Sequence, residues 1–206
     1  MLQFCQLNIP SKRKMIEKVI FFFFLSINVL SAQNSLEIGI NYGSSDIFRQ
    51  NDQSYYNYKN TEFGIFAAKN LAWKKNEEDQ IQKFWMIQPQ IYFGNYEFLA
   101  ENYQQNTFRG ILYSGIKLEM PFQQWSAHTK LLLGAGYQSG YYQRLAKGVF
   151  MTEKLSLGLN FKMKSISTFA DIGIMHVSNA NLYQLNRGHE VFFVEFGINL
   201  PKVSSK

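Results

Sequence analysis

From residue 35 onwards, apolar and polar side chains alternate along the chain with a period of two. This alternation predicts β-strands with one apolar and one polar face, and no sustained helical period interrupts it. In the first segment, the apolar residues Leu36, Ile38, Ile40 and Tyr42 alternate with Glu37, Gly39, Asn41 and Gly43. The pattern predicts eight strands, at residues 36–43, 63–71, 84–93, 109–120, 125–138, 154–163, 167–178 and 190–200.

The connections between these segments alternate in length. The long, polar ones are 44–60, 95–106, 139–148 and 179–189, and the shorter ones are 73–80, 121–124 and 164–166. An even number of strands joined by alternating long and short connections is typical of outer-membrane barrels. The sequence therefore predicts an all-β fold, an eight-stranded antiparallel up-and-down transmembrane β-barrel. Pro89 lies inside the third strand, where its missing N–H predicts a β-bulge.

Composition indicates which face of the strands points outward. Charged residues make up 17% of the chain and aromatic residues another 17%, whereas about 25% charged is usual for globular proteins. The apolar face points inward in a soluble barrel and outward in a membrane barrel. The low charge, the aromatic content and the need for closed sheet edges in lipid favour the membrane barrel. A soluble exported barrel with its site inside is the alternative.

Individual polar and aromatic residues follow from this orientation. His128 and Asp171 are on the polar face and are predicted to join a network inside the barrel. His189 is predicted to be a loop residue. Trp73, Trp85 and Trp125 fall near strand ends and are predicted to form an interfacial belt.

The N-terminal segment has the pattern of an export signal. Basic residues at 12–14 and 18 precede an apolar run from 19 to about 30, which is followed by Ser31 and Ala32. We interpret residues 1–32 as a cleaved signal peptide and residues 33–206 as the barrel. The apolar run is shorter than the about 20 residues that a spanning helix needs, although an uncleaved anchor is the alternative. Met15 is a second candidate start.

Charge and cysteine content exclude several classes of function. The formal charge is +6, and residues 1–32 carry +3 of it. The remaining basic residues are scattered, so the sequence predicts no nucleic-acid partner. Cys5, the single cysteine, lies in the leader, which removes disulfides, thiolate metal sites and a cysteine nucleophile from the mature chain. Without a phosphate loop or a metal-spaced cluster, we predict no cofactor and no metal.

Three polar residues stand on the apolar face of the last two strands. His176 and Ser178 continue the face of Ile172 and Ile174, and Glu190 begins the apolar face of the next strand. Residues i and i+2 share a face at about 6.5 Å, and neighbouring strands lie about 4.8 Å apart, so the three side chains can meet. Polar groups on a lipid-facing wall are costly, and this favours a functional role.

These residue types in this arrangement indicate nucleophilic catalysis. Ser178 is the candidate nucleophile, His176 its base, and Glu190 the acid that orients the histidine. Asn179 and the backbone of the turn through Asn181 are the nearest candidates for stabilising an oxyanion. The structural alternatives are a loop-start hydroxyl for Ser178, an interfacial ring for His176 and a strand-edge charge for Glu190.

The same stretch resembles a known family signature. The residues His176-Val-Ser178-Asn179-Ala180, followed by Asn186-x-Gly188 and Glu190, are similar to the motif of the PagL-type outer-membrane lipid A 3-O-deacylases, including the His-to-Glu spacing. The resemblance implies an eight-stranded barrel in the outer membrane of a Gram-negative bacterium. It also implies a serine esterase that removes an ester-linked hydroxyacyl chain from lipid A (lipopolysaccharide), with Ser178 as nucleophile, His176 as base, Glu190 as its partner and Asn179 helping to hold the oxyanion.

The chain departs from that family pattern at three places. Asn181 stands where the family usually has glycine, Val177 replaces an aromatic residue, and residues 200–206 do not end on an aromatic residue. Asparagine tolerates left-handed backbone geometry better than most residues, so the turn can be kept. The second hypothesis for function is a non-catalytic small barrel with an adhesive or structural role. The sequence does not decide between a monomer and a homodimer in the outer-membrane lipids.

Overall fold

The computed structural model describes residues 35–45, 58–73, 80–98, 103–140, 145, 147–163, 166–182 and 188–200. The predicted leader, with Cys5 and Met15, lies outside these residues, as does the C-terminal segment 201–206. In the described part of the chain, no helix is long and apolar enough to cross a membrane.

Eight antiparallel strands form a closed barrel. They are β1 (Ser35–Ser44), β2 (Tyr58–Ala72), β3 (Gln82–Phe98), β4 (Tyr103–Pro121), β5 (Trp125–Gln138), β6 (Gly148–Met163), β7 (Ile166–Ser178) and β8 (His189–Leu200). Each strand pairs with the next along the chain, and β8 pairs with β1 to close the barrel. The predicted up-and-down topology and the strand count are confirmed. We call the end with the long connections the loop end and the other the turn end.

Several strands are longer than the alternation predicted. β3 has 17 residues and β4 has 19, and both continue into the predicted loop 95–106. Asn95 pairs with Asn106 there, and the Asn95 Nδ2 donates a hydrogen bond to the Asn106 Oδ1 at 3.0 Å. The predicted loop was wrong here because a strand that extends beyond the membrane keeps its backbone pairing but no longer alternates apolar with polar residues. The alternation is the signal from which strands are predicted.

Pro89 lies in β3 without the predicted bulge. The register between β2 and β3 is the same on both sides of it, with Phe66 opposite Gln90 and Lys69 opposite Ile87. Only the two pairs between these are missing from the ladder, while Pro89 still pairs with Leu112 of β4. The missing proline N–H is thus accommodated by a local gap on one side, with no extra residue inserted.

The apolar face points outward, as expected of a membrane barrel. Large apolar side chains on this face are exposed, up to 61% for Leu133 and 63% for Leu157. The side chains of the opposite face are buried although many are charged, as with Glu37, Lys117 and Lys130. The three tryptophans are exposed at the turn end: Trp73, Trp85 and Trp125.

A charged network fills the lumen towards the turn end. The carboxylate of Glu37 accepts hydrogen bonds from Lys117 Nζ at 2.7 Å and from Lys130 Nζ at 2.9 Å. Lys130 also lies 2.9 Å from the Asp171 carboxylate, which in turn lies 2.6 Å from the Nε2 of His128. The predicted inward position of His128 and Asp171 is confirmed.

Aromatic and charged side chains pack the lumen nearer the loop end. Arg109 pairs with Glu62, and its guanidinium lies 5.1 Å from the ring centre of Tyr92. The hydroxyls of Tyr92 and Tyr113 both donate to the sulfur of Met175, at 3.6 and 3.0 Å. Packed side chains therefore support β7 and β8 from inside the barrel. A site on these two strands faces outward.

We predict that Glu37→Ala lowers the free energy of unfolding by about 3 kcal/mol, because it leaves two buried lysines without a shared acceptor. Lys117 keeps Glu119 and Lys130 keeps Asp171 as partners, which limits the loss. The measurement is urea unfolding of the barrel in lipid vesicles. The control is Glu97→Ala, at a partly exposed position of β3, with an expected change within about 0.5 kcal/mol. Equal losses for the two variants would contradict the prediction.

Candidate active site

The hairpin of β7 and β8 brings His176 and Glu190 together on the outer face. The two residues are direct partners in the β7–β8 register. The Nδ1 of His176 lies 3.1 Å from the Oε1 of Glu190, and each side chain is 42% exposed. This is the near-opposite placement expected from the phase of the two strands. A proton on Nδ1 donates to the carboxylate, which leaves Nε2 as the free acceptor of the imidazole.

Ser178 lies two residues after His176, on the same face of β7 and partly buried. Among the described residues, no hydrogen bond joins its hydroxyl to His176. In an enzyme without substrate, such a bond is often long and forms only in the complex. The arrangement of hydroxyl, imidazole and carboxylate on one surface is suited to acyl transfer through a serine nucleophile.

A tight turn follows Ser178 directly. Ala180 and Asn181 both have left-handed backbones, with φ of 50° and 62°, and the N–H of Leu182 donates to the carbonyl of Asn179 at 2.9 Å. Two left-handed central residues closed by this hydrogen bond make a type I′ turn. The expectation that asparagine at 181 can keep a left-handed backbone agrees with this geometry.

The side chain of Asn179 stabilises this turn. Its side chain is fully buried, on the pleat opposite to Ser178. Its Oδ1 accepts a hydrogen bond from the N–H of Asn181 at 3.1 Å. In this structure the two residues expected to stabilise an oxyanion are thus bonded to each other. Asn186 of the family signature lies outside the described residues.

His189 is the first residue of β8 and faces the lumen, so its prediction as a loop residue was wrong. It is fully buried and pairs with Val177. Its Nε2 lies 3.4 Å from the hydroxyl of Tyr96, and the two rings meet edge to face. β8 begins at His189, one residue before its apolar pattern. The pattern does not show this residue because its inward-facing side chain is polar and packs on Tyr96.

Glu153 is a residue that the sequence prediction missed. It lies on the outer face of β6, directly opposite His176, while Met151 of the same face is opposite Ser178. Among the outward residues of β6 it is the only charged one. His176 is therefore flanked by a carboxylate on each side, from β6 and from β8. A charged residue on the otherwise apolar outer face of β6 is the signal that could have identified Glu153.

In the described part of the chain, no three histidine, cysteine or acidic residues are grouped so that they could hold a metal ion.

We predict that Asn181→Val destabilises the turn whereas Asn181→Gly preserves it. A β-branched residue at φ of 62° costs about 1–3 kcal/mol, and glycine adopts this geometry freely. Urea unfolding in vesicles should show a loss of about 1–2 kcal/mol for the valine variant and a change within about 0.5 kcal/mol for the glycine variant. Gln104→Val, at an exposed strand position, controls for the introduction of a β-branched side chain. Equal stability of Asn181→Val and Asn181→Gly would count against the strained turn.

The sequence matches the model of a known family. A sequence profile described as lipid A 3-O-deacylase (PagL) matches residues 61–199. The matched range includes the candidate residues on β7 and β8. No curated protein matched the sequence.

Two solved structures of bacterial outer-membrane proteins resemble the fold to different degrees. The crystal structure of the outer membrane enzyme PagL has 13% identity and a TM-score of 0.57, over 80% of this chain and 99% of that chain. A bacterial polysaccharide outer membrane secretin has 13% identity and a TM-score of 0.36, over 69% of this chain and 46% of that chain, which is too low to support an argument. The first likeness shows a common fold. Because the profile covers more than half of the chain, the protein belongs to the PagL family of lipid A 3-O-deacylases and is an outer-membrane β-barrel.

Proposed function

We propose that this protein is a serine esterase that removes an ester-linked hydroxyacyl chain from lipid A in the outer leaflet of the outer membrane. The observation that carries the proposal is the 3.1 Å contact between His176 Nδ1 and Glu190 Oε1, on the outer face and two residues from Ser178. Family membership supplies the substrate class. The predicted leader, residues 1–32, would direct export and then be removed.

The proposed reaction has two steps through an acyl-enzyme. His176 Nε2 takes the proton of Ser178, and Ser178 Oγ attacks the ester carbonyl. The tetrahedral intermediate collapses, the sugar oxygen leaves with the proton from His176, and the acyl chain stays on Ser178. A water molecule then attacks the acyl-enzyme with His176 again as base, which releases the hydroxy fatty acid and restores the serine. Glu190 fixes the tautomer of His176 and stabilises its imidazolium.

The turn after Ser178 is proposed to stabilise the oxyanion. The N–H of Asn181 donates to Asn179 Oδ1 in this structure, so an oxyanion must displace this amide oxygen to take the donor. An oxyanion carries more negative charge than an amide oxygen and is the stronger acceptor. We propose that Asn181 transfers its hydrogen bond to the oxyanion as the intermediate forms, and that Asn179 holds the turn in place until then.

The outer wall is where a membrane lipid can reach this site. The side chains on the membrane side of His176 are apolar and exposed, as with Leu155, Ile172 and Ile174. An acyl chain can lie along them without leaving the bilayer. The lipid therefore reaches Ser178 by lateral diffusion, and the reaction needs no enclosed pocket.

We predict that lipid A incubated with the wild-type protein in mixed micelles loses one acyl chain, whereas lipid A incubated with Ser178→Ala keeps all of its chains. Mass spectrometry of the lipid gives the acyl count directly. The control is Ser167→Ala, which removes a hydroxyl from the other end of β7 and should leave deacylation unchanged.

Two results would contradict this prediction. An unchanged acyl count with the wild-type protein, together with no labelling of Ser178 by a fluorophosphonate, is the outcome expected of a non-catalytic barrel. Loss of a chain with both wild type and Ser178→Ala would leave an esterase but reject Ser178 as its nucleophile.

We predict that Glu190→Gln lowers kcat by about 10²–10⁴-fold with little change in KM, because an amide no longer fixes the histidine tautomer. The measurement is the rate of fatty-acid release at several lipid concentrations. Glu97→Gln, at a partly exposed position away from the site, is the matched control and should behave as wild type. A rise in KM with unchanged kcat would instead show that Glu190 binds substrate.

A further inference from the structure

Gly188 lies against the histidine ring, immediately before β8. It has a left-handed backbone with φ of 58°, and it is buried. A side-chain Cβ placed on it would lie 3.0 Å from the Cε1 of His176, 3.3 Å from its Nε2 and 3.1 Å from the carbonyl oxygen of Val177. These separations are shorter than ordinary van der Waals contact, so the backbone itself closely approaches the ring.

The edge of the ring that Gly188 covers is the one that the proposed chemistry uses. Glu190 holds Nδ1 on one side of the imidazole. The backbone of Gly188 borders the Cε1–Nε2 edge, which carries the nitrogen that takes the serine proton. The ring thus lies between its hydrogen bond to Glu190 and the backbone of Gly188, which leaves no room for a Cβ.

We propose that Gly188 is a positioning residue for His176. Because glycine has no side chain, it leaves room for the imidazole of His176 to direct Nε2 at Ser178. This inference rests on the proposed function. Any L-residue at 188 carries a Cβ, so the ring or the loop must move by a few tenths of an ångström. Displacements of reacting groups by about 1 Å cost about 10²-fold in rate, so a shift of this size should cost about tenfold.

The left-handed backbone is a second reason for glycine at position 188, besides room for the His176 ring. Two variants distinguish these reasons. Gly188→Ala adds a Cβ at a backbone geometry that alanine disfavours. Gly188→Asn adds the same Cβ, but asparagine tolerates a left-handed backbone. The positioning role predicts slower chemistry in both variants, whereas strain alone predicts a defect mainly in the alanine variant. Gly110→Ala is the matched control, because a Cβ at Gly110 meets nothing within 4 Å.

The first readout is the reactivity of Ser178, measured as the rate constant for labelling by a fluorophosphonate in detergent micelles. We expect Gly188→Ala and Gly188→Asn to react about tenfold more slowly than wild type, with kcat for lipid A lowered to match and KM changed less than about twofold. Gly110→Ala should react at the wild-type rate.

The second readout reports the ring itself and does not depend on activity. The chain has three histidines, so protein labelled with ¹³C at histidine Cε1 gives three signals, and His176→Asn identifies the one from His176. We expect this signal to shift in both Gly188 variants and to stay in place in Gly110→Ala. A wild type that is neither labelled nor active would contradict the proposed function, while the His176 signal would still decide the role of Gly188.

Three results would overturn the positioning role. One is a Gly188→Asn variant with the wild-type labelling rate and an unmoved His176 signal. Another is a defect confined to KM, which would make Gly188 part of the lipid-binding surface. The third is failure of both Gly188 variants to fold, judged by heat-modifiable mobility on gels, while Gly110→Ala folds, because that would assign Gly188 to folding alone.

Discussion

The pairing of β8 with β1 is the constraint on which the rest of this structure depends. In lipid, an unpaired sheet edge would leave backbone N–H and C=O groups without water, so a spanning sheet must close on itself. The two strands pair from Leu36 with Leu200 to Ser44 with Phe192. Closure fixes the facing of all eight strands, with apolar side chains towards lipid and polar ones inside. It also places β8 between β1 and β7, where its first residues meet the end of β7.

The packed lumen leaves only the outer face of the barrel open for the proposed reaction. Charged groups such as Glu37, Lys130 and Asp171 neutralise each other towards the turn end, and aromatic side chains fill the space nearer the loop end. His176 and Glu190 therefore sit on the outer wall. Burial of a polar group in lipid is costly, but the proposed substrate is itself a lipid, so the exposed position at this wall is also the accessible one.

Backbone geometry at both ends of one connection supports the site. Three of the four described residues with positive φ belong to the connection between β7 and β8, and they are Ala180, Asn181 and Gly188. Strained backbone tends to persist where function requires it. Here the first two shape the turn beside Ser178, the proposed nucleophile, and the third brings the chain back against the imidazole. The side chains proposed for catalysis come from regular strands, whereas their fine placement comes from these residues.

The sequence by itself determined the fold and which face of the strands meets lipid, because side chains that meet lipid alternate with inward ones at a period of two. It also supplied the candidate site residues, because His176, Ser178 and Glu190 interrupt that apolar face. The tertiary structure decided what a single strand cannot reveal. Polar strand extensions around Asn95 carry no apolar signal, and Glu153 approaches His176 only through the β6–β7 register. The contact of Gly188 with the ring depends on how the returning chain passes over β7, since residues distant along the chain are brought together only when the barrel closes.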